Sequence, residues 1–111
     1  MADELTVEEV RRRELSAKLH EILGSDNIYF QPPESIKMEY PCIRYKRSSP
    51  FSVPANNKKN YIQISRYEIM VISRDPMEPT VYKIPEEFEY CDNGRHYEAD
   101  NLYHDVFYIY W

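Results

Sequence analysis

The chain has 111 residues, 30% of them charged, with a formal net charge of −5 and only two glycines. That length sets the expectation of one domain, residues 1–111, built on one core, and the composition is not that of a disordered chain. The charge balance excludes the broad basic field that phosphate recognition needs, the glycine count excludes a phosphate-binding loop, and no apolar run approaches the ~18 residues of a membrane span.

Thr6-Val7-Glu8-Glu9 reads as a capping box, in which the Thr6 hydroxyl accepts from the Glu9 N–H and Glu9 reaches back to the Thr6 N–H. Leu5 and Val10 flank it as a hydrophobic staple would. Leu15, Leu19, Ile22 and Leu23 recur at helical spacing, and Gly24 suits the position just past a helix end. The prediction is a helix over 7–23. Its Arg11-Arg12-Arg13 run is expected on a solvated face, paired with Glu8, Glu9 and Glu14.

Asn27 to Gln31 reads as a short strand stopped by Pro32-Pro33, and 34–41 as a loop. A second strand is predicted over 42–47, with Ile43 and Tyr45 on one face and Arg44 and Lys46 on the other. Ser48 to Asn60, rich in Pro, Asn and Lys, is expected to be a long mobile loop carrying Phe51 and Val53 as exposed apolar residues. Tyr61 to Ser73 is the longest predicted strand. Its later half is apolar on both faces, which places it centrally in a sheet.

Residues 77–87 form either a short helix or a loop, with Pro79 and Pro85 limiting any helix to about two turns. Phe88 to Glu98 begins a hairpin-like pair in which Asp92-Asn93-Gly94 makes a turn or a bulge. Asp100-Asn101 is a second turn. Val106 to Trp111 is the closing strand, apolar enough to require burial in the chain's own sheet or against a partner. The fold class that follows is α+β: an N-terminal helix packed on a mainly antiparallel sheet of about five strands, with at most one short second helix.

Chemistry-bearing residues are sparse. A metal site would draw on Cys91, His96, Asp100, His104 and Asp105, whose spacing matches no zinc pattern. Nucleophilic catalysis would need Cys42 or Cys91 beside His96 or His104. The sharpest enzymatic reading is a small metal-dependent nuclease using Asp100, His104 and Asp105. Against it, Asp100 and Asn101 are turn formers, and His104 and Asp105 suit the start of the last strand. These four residues are read as architectural, and no catalytic residue, metal or cofactor is expected. Met1 to Leu5 is acidic and lacks an apolar h-region, so no signal peptide is expected and the two cysteines are expected as reduced thiols. Eleven tyrosines suit both strands and protein interfaces.

Three segments in order carry a resemblance: Gln31-Pro32-Pro33-Glu34-Ser35-Ile36-Lys37-Met38-Glu39-Tyr40-Pro41-Cys42-Ile43, Arg66-Tyr67-Glu68-Ile69-Met70-Val71-Ile72-Ser73-Arg74-Asp75-Pro76, and Ala99-Asp100-Asn101-Leu102-Tyr103-His104-Asp105-Val106-Phe107. From about residue 19 to 111 the chain resembles the tail terminator, or tail completion, proteins of the head–tail module of long-tailed bacteriophages. The resemblance implies a sheet with helices on one side and no enzyme activity or cofactor. It implies a ring, usually of six subunits, that caps the head-proximal end of the tail tube, stops polymerisation of the tube protein and meets the head–tail connector protein. Such a protein is assembled in the host cytoplasm and resides in the virion neck. DNA passes its lumen without specific binding, which an acidic chain suits. The alternative within the virion is a head-closure or head–tail adaptor ring. A cap needs a few buried anchors rather than a catalytic cluster. The candidates are Phe51 and Val53 on the long loop, and Met77, Val81 and Tyr82 near 75–85.

Overall fold

The computed structural model describes residues 6–33, 36–54 and 61–111. The first helix, α1, runs Val7–Leu23 as the sequence predicts. The Thr6 hydroxyl accepts from the Glu9 N–H at 3.1 Å. At the other end Gly24 takes φ 78°, and its N–H donates to the His20 carbonyl, so left-handed backbone closes the helix without a Cβ penalty. The reciprocal half of the capping box is not formed. The Glu9 carboxylate is held instead by Arg12 at 2.5 Å and Arg13 at 3.5 Å.

Five strands follow: β1 Ile28–Phe30, β2 Cys42–Pro54, β3 Tyr61–Ser73, β4 Cys91–Ala99 and β5 Leu102–Tyr110, with a second helix, α2, Pro79–Glu87, between β3 and β4. The sheet order is β1-β2-β3-β5-β4. β1 pairs parallel with β2, and every other pairing is antiparallel. The fold is therefore α+β, with β3 at the centre of a five-stranded mixed sheet, as its doubly apolar later half requires.

Both helices pack on one face. Leu15, Leu19 and Ile22 from α1 and Ile84 and Phe88 from the α2 region are buried against Ile43, Tyr45, Tyr67, Ile69, Val71, Phe107 and Ile109. These sheet residues alternate along their strands, so one face supplies the core. Truncating Leu15 or Leu19, both fully buried, would cost about 2–5 kcal/mol. Val10 stands 42% exposed, outside the stripe.

Three sequence expectations are corrected, and one open alternative is resolved. Residues 48–54 are strand, not loop: β2 continues through a bulge between Arg47 and Ser49 and pairs with β3 out to Pro54↔Tyr61. The prolines there lie on strands whose outer edge has no sheet neighbour among the described residues, a position where a missing N–H costs little. Residues 55–60 lie outside the described residues. Asp92-Asn93-Gly94 is not a turn; β4 is one strand whose register with β5 shifts between Asn93 and His96, so the bulge is the realised alternative. There a Cβ on Gly94 would lie 2.8 Å from the Val106 carbonyl oxygen. β5 begins at Leu102 rather than Val106, which puts His104 and Asp105 inside the strand.

The third correction concerns the triple arginine. Of the three only Arg13 is exposed; Arg11 and Arg12 are half-buried. The Arg12 guanidinium lies 4.6 Å from the Phe30 ring centre and donates to the Tyr45 hydroxyl at 3.4 Å. The Arg11 guanidinium lies 5.7 Å from the Trp111 ring centre. Aromatic faces attract these cations, so the run ties α1 to the sheet.

The terminal aromatic run is buried in the chain's own sheet. β5 lies between β3 and β4, and Ser65 and Trp111 exchange both backbone hydrogen bonds. The Trp111 indole N–H donates to the Arg11 carbonyl at 2.6 Å, and its ring meets Phe88 edge-on.

Candidate functional site

The β4–β5 hairpin places the motif residues. Asp100 and Asn101 have φ 54° and 63°, the two positive values that a tight two-residue hairpin turn demands. Asp and Asn tolerate that conformation better than other non-glycine residues. From this turn the register runs Ala99↔Leu102, Glu98↔Tyr103, Tyr97↔His104 and His96↔Asp105. Because successive residues alternate faces, His104 and Asp105 point to opposite sides of the sheet. His104 stacks on Tyr97, with ring centres 4.7 Å apart. Asp105 turns to the helix face and accepts from His96 Nδ1 at 2.6 Å.

The structure therefore does not bring Asp100, His104 and Asp105 together. Among the described residues no group of three His, Cys, Asp or Glu side chains could hold a metal ion. His96 and Asp105 line a groove of about 420 Å³ whose other wall is Val81, Tyr82 and Pro85 of α2. The carboxylate fixes the imidazole tautomer, as an acid–base pair would need, yet neither cysteine lines this groove. Cys42 is fully buried in β2, and burial pushes its thiol up to about 12 from the ordinary 9.0. Burial also raises Cys91. Raised thiols are poor nucleophiles at neutral pH.

The suspected anchors separate. Met77 and Tyr82 are 65% and 57% exposed, and the Tyr82 hydroxyl lies 3.9 Å from the Met77 sulfur. Asp75 sets this corner: its carboxylate accepts from the Met77 N–H at 2.9 Å, and its carbonyl accepts from the Ser73 hydroxyl. Such an Asx turn ends β3 and starts the path to α2. Val81 is half-buried and packs against the core, so it supports the corner rather than presenting it. Phe51 and Val53 are strand residues of β2, partnered in register with Ile64 and Ile62; their side chains lie outside what is described.

Pairing of β3 with its inner neighbour ends at Arg66↔Tyr110 and the Ser65–Trp111 bonds. Beyond that level β2 and β3 pair only with each other among the described residues, as a two-stranded arm. At ~3.3 Å per residue the 13 residues of β3 span about 40 Å. The arm and the Met77–Tyr82 corner thus mark opposite ends of one strand. Sequence reasoning missed the arm because prolines and asparagines at 50–60 carry a loop's composition. It missed the His96–Asp105 pair because the two residues meet only through hairpin register.

No protein-family model matches this chain, and no curated protein matches it.

Proposed function

We propose that this protein is a structural ring subunit of a long-tailed phage neck, and specifically a tail terminator. The supporting sequence observation is the set of three ordered segments at 31–43, 66–76 and 99–107. The observation that carries the reading is the pair of unlike ends of β3. One end is the two-stranded arm, whose outer backbone edges are unpaired among the described residues. The other is the exposed Met77–Tyr82 corner. A tube grows because each ring shows the next one a complementary surface, and a heterologous contact of that kind stops when the outward surface changes. A subunit with different chemistry at its two ends suits a cap, with one end docked on the last tube ring and the other facing the connector.

The net charge of −5 suits a lumen that DNA crosses without adhering, since like charge opposes phosphate contacts. No helix among the described residues is long and apolar enough to cross a membrane.

The test is removal of the coding sequence from a phage that carries it, followed by electron microscopy. A terminator's loss gives tails of irregular length. Normal-length tails beside unjoined heads would instead assign the adaptor position, and complete virions without this polypeptide would overturn a structural role.

A further inference from the structure

The sheet face away from the helices carries a second cavity, of about 410 Å³, between the end of β1 and strands β2 and β3. Its charged lining is Arg44, Lys46, Arg47 and Glu68, with Pro32 and Met70 as apolar wall. Arg44 and Lys46 point to this face beside the one carboxylate, whereas Arg47 borders the cavity at its backbone and, in register with Tyr67, turns its side chain to the helix face. Glu68 is taken by Lys46 at 3.6 Å. Arg44 is half-buried, and its guanidinium has no ion pair or hydrogen bond with any described residue. A guanidinium without a counter-charge offers a fork of donors that an incoming carboxylate can take. The rim is fixed by Gln31, held at φ 41°, whose side-chain oxygen accepts from the Arg47 N–H. A strained, pinned residue beside an unfilled charge is the pattern of a binding site.

The complementary chemistry lies at the opposite edge of the same sheet. Where α2 gives way to β4, Tyr90 is 60% exposed. Glu89 and Asp92 beside it are exposed and make no ion pair with any described residue. The strand register sets the height of both patches. Asp92 pairs with Tyr108, Tyr108 with Glu68, and Glu68 with Lys46. This is one row straight across the sheet, with the acidic corner at one edge and the cationic cavity near the other. Unlike patches on opposite edges make a heterologous contact. A heterologous contact closes a ring when the rotation between successive copies divides the full circle without a rise.

We propose that the Arg44–Lys46 cavity receives the Glu89–Asp92 corner of a second copy of this chain, with Tyr90 against Pro32 and Met70 and the carboxylates facing Arg44. The contact is the lateral joint of the ring, and it rests on the ring reading above for its biological setting. A nucleic-acid occupant is disfavoured, because Glu68 sits in the floor and the positive charge does not extend into a track for a phosphate backbone.

The full-length chain is tested by sedimentation and light scattering from low micromolar to about 1 mM, at low and high salt. The wild type is expected to form closed oligomers that dissociate as salt rises. Arg44→Glu, and separately Glu89→Arg with Asp92→Arg, should each weaken association about 100-fold, since like charges then face one another. All three reversals in one chain should restore it. Circular dichroism melts check folding, and if Arg44→Glu unfolds, the exposed Glu89 and Asp92 reversals carry the test. A wild type that stays monomeric at low salt overturns the contact, and so does association indifferent to these reversals. Inorganic phosphate or citrate that raises the melting temperature of a monomer only when Arg44 is present would make the cavity a small-anion site and overturn it too. None of these outcomes bears on tail length, so the terminator reading stands or falls separately.

Discussion

The C-terminal residue provides the sharpest stability prediction. Trp111 ties three elements: its backbone pairs with Ser65 of β3, its indole N–H donates to the Arg11 carbonyl of α1 at 2.6 Å, and its ring meets Phe88 with centroids 5.9 Å apart. Trp111→Ala keeps the backbone pair and removes the rest. Truncating a fully buried aromatic costs about 3–5 kcal/mol. Trp111 is half-buried, so a packing loss of about 2 kcal/mol is expected, with about 1 kcal/mol more for the indole hydrogen bond. The total of ~3 kcal/mol is a large share of a small domain's stability, and it should lower the melting temperature by roughly 10–15 °C. Trp111→Phe, which keeps a ring edge for Phe88 but has no N–H, should lose about 1 kcal/mol. Urea unfolding followed by far-ultraviolet circular dichroism reads both, because the variants lack the indole fluorophore. A Trp111→Ala protein within about 0.5 kcal/mol of wild type would refute the clasp, because surface changes of no consequence fall in that range.

Gly94→Ala should destabilise by about 1–3 kcal/mol, because the new methyl meets the Val106 carbonyl at 2.8 Å and the Tyr108 ring at 3.1 Å; a thermal melt checks it. At Asn101, with φ 63°, replacement by Ala should cost about 1 kcal/mol while Gly is tolerated, a difference visible in the same melts. The buried thiol gives a pH prediction. Cys42 has its folded pKa raised from 9.0 to about 12, so the folded state holds its proton after the unfolded chain has lost it. Stability from this group is complete below about pH 9 and is lost as pH rises toward 12. Burial raises Tyr67 and Cys91 in the same direction. Urea midpoints should therefore fall along the alkaline limb, less steeply in Cys42→Ala. At pH 8 a thiol reagent should modify Cys91 before Cys42, as mass spectrometry of the labelled chain would report.

Legibility from sequence followed how local each determinant was. The limits of α1 were readable because Thr6 and Gly24 act within one helical turn. The limits of β3 were readable because Arg74-Asp75-Pro76 punctuates it and its apolar pattern marks a central strand. The extension of β2 through 48–54 was not readable. Ser48, Ser49 and Pro50 have low strand propensity, and only the facing 61–66 segment gives them a ladder. The roles of Arg11 and Arg12 were hidden for the same reason. A cation next to glutamates at helical spacing looks solvated until Phe30 and Trp111, distant in sequence, arrive beneath it. Of the suspected anchors, Met77 and Tyr82 could be picked by type and proximity, while the cavity at Arg44 needs three strands and the Gln31 turn to exist.

The hairpin turn and the proposed docking surfaces are mechanically linked. Side chains on β5 alternate, so Asp105, Phe107 and Ile109 face the helices while His104, Val106 and Tyr108 face the other way. A slip of one residue against β3 would send Phe107 and Ile109 outward and Tyr108 into the core. It would also break the row that runs from Asp92 through Tyr108 and Glu68 to Lys46. The same short turn at Asp100-Asn101 that fixes the register therefore decides whether the acidic corner and the cationic cavity stand at one height. That gives the 99–107 motif a physical reason to keep turn formers and a His96–Asp105 tie without any reaction to catalyse. An error there would therefore cost the core its Phe107 and Ile109 and, in the ring reading, part the two edges as well.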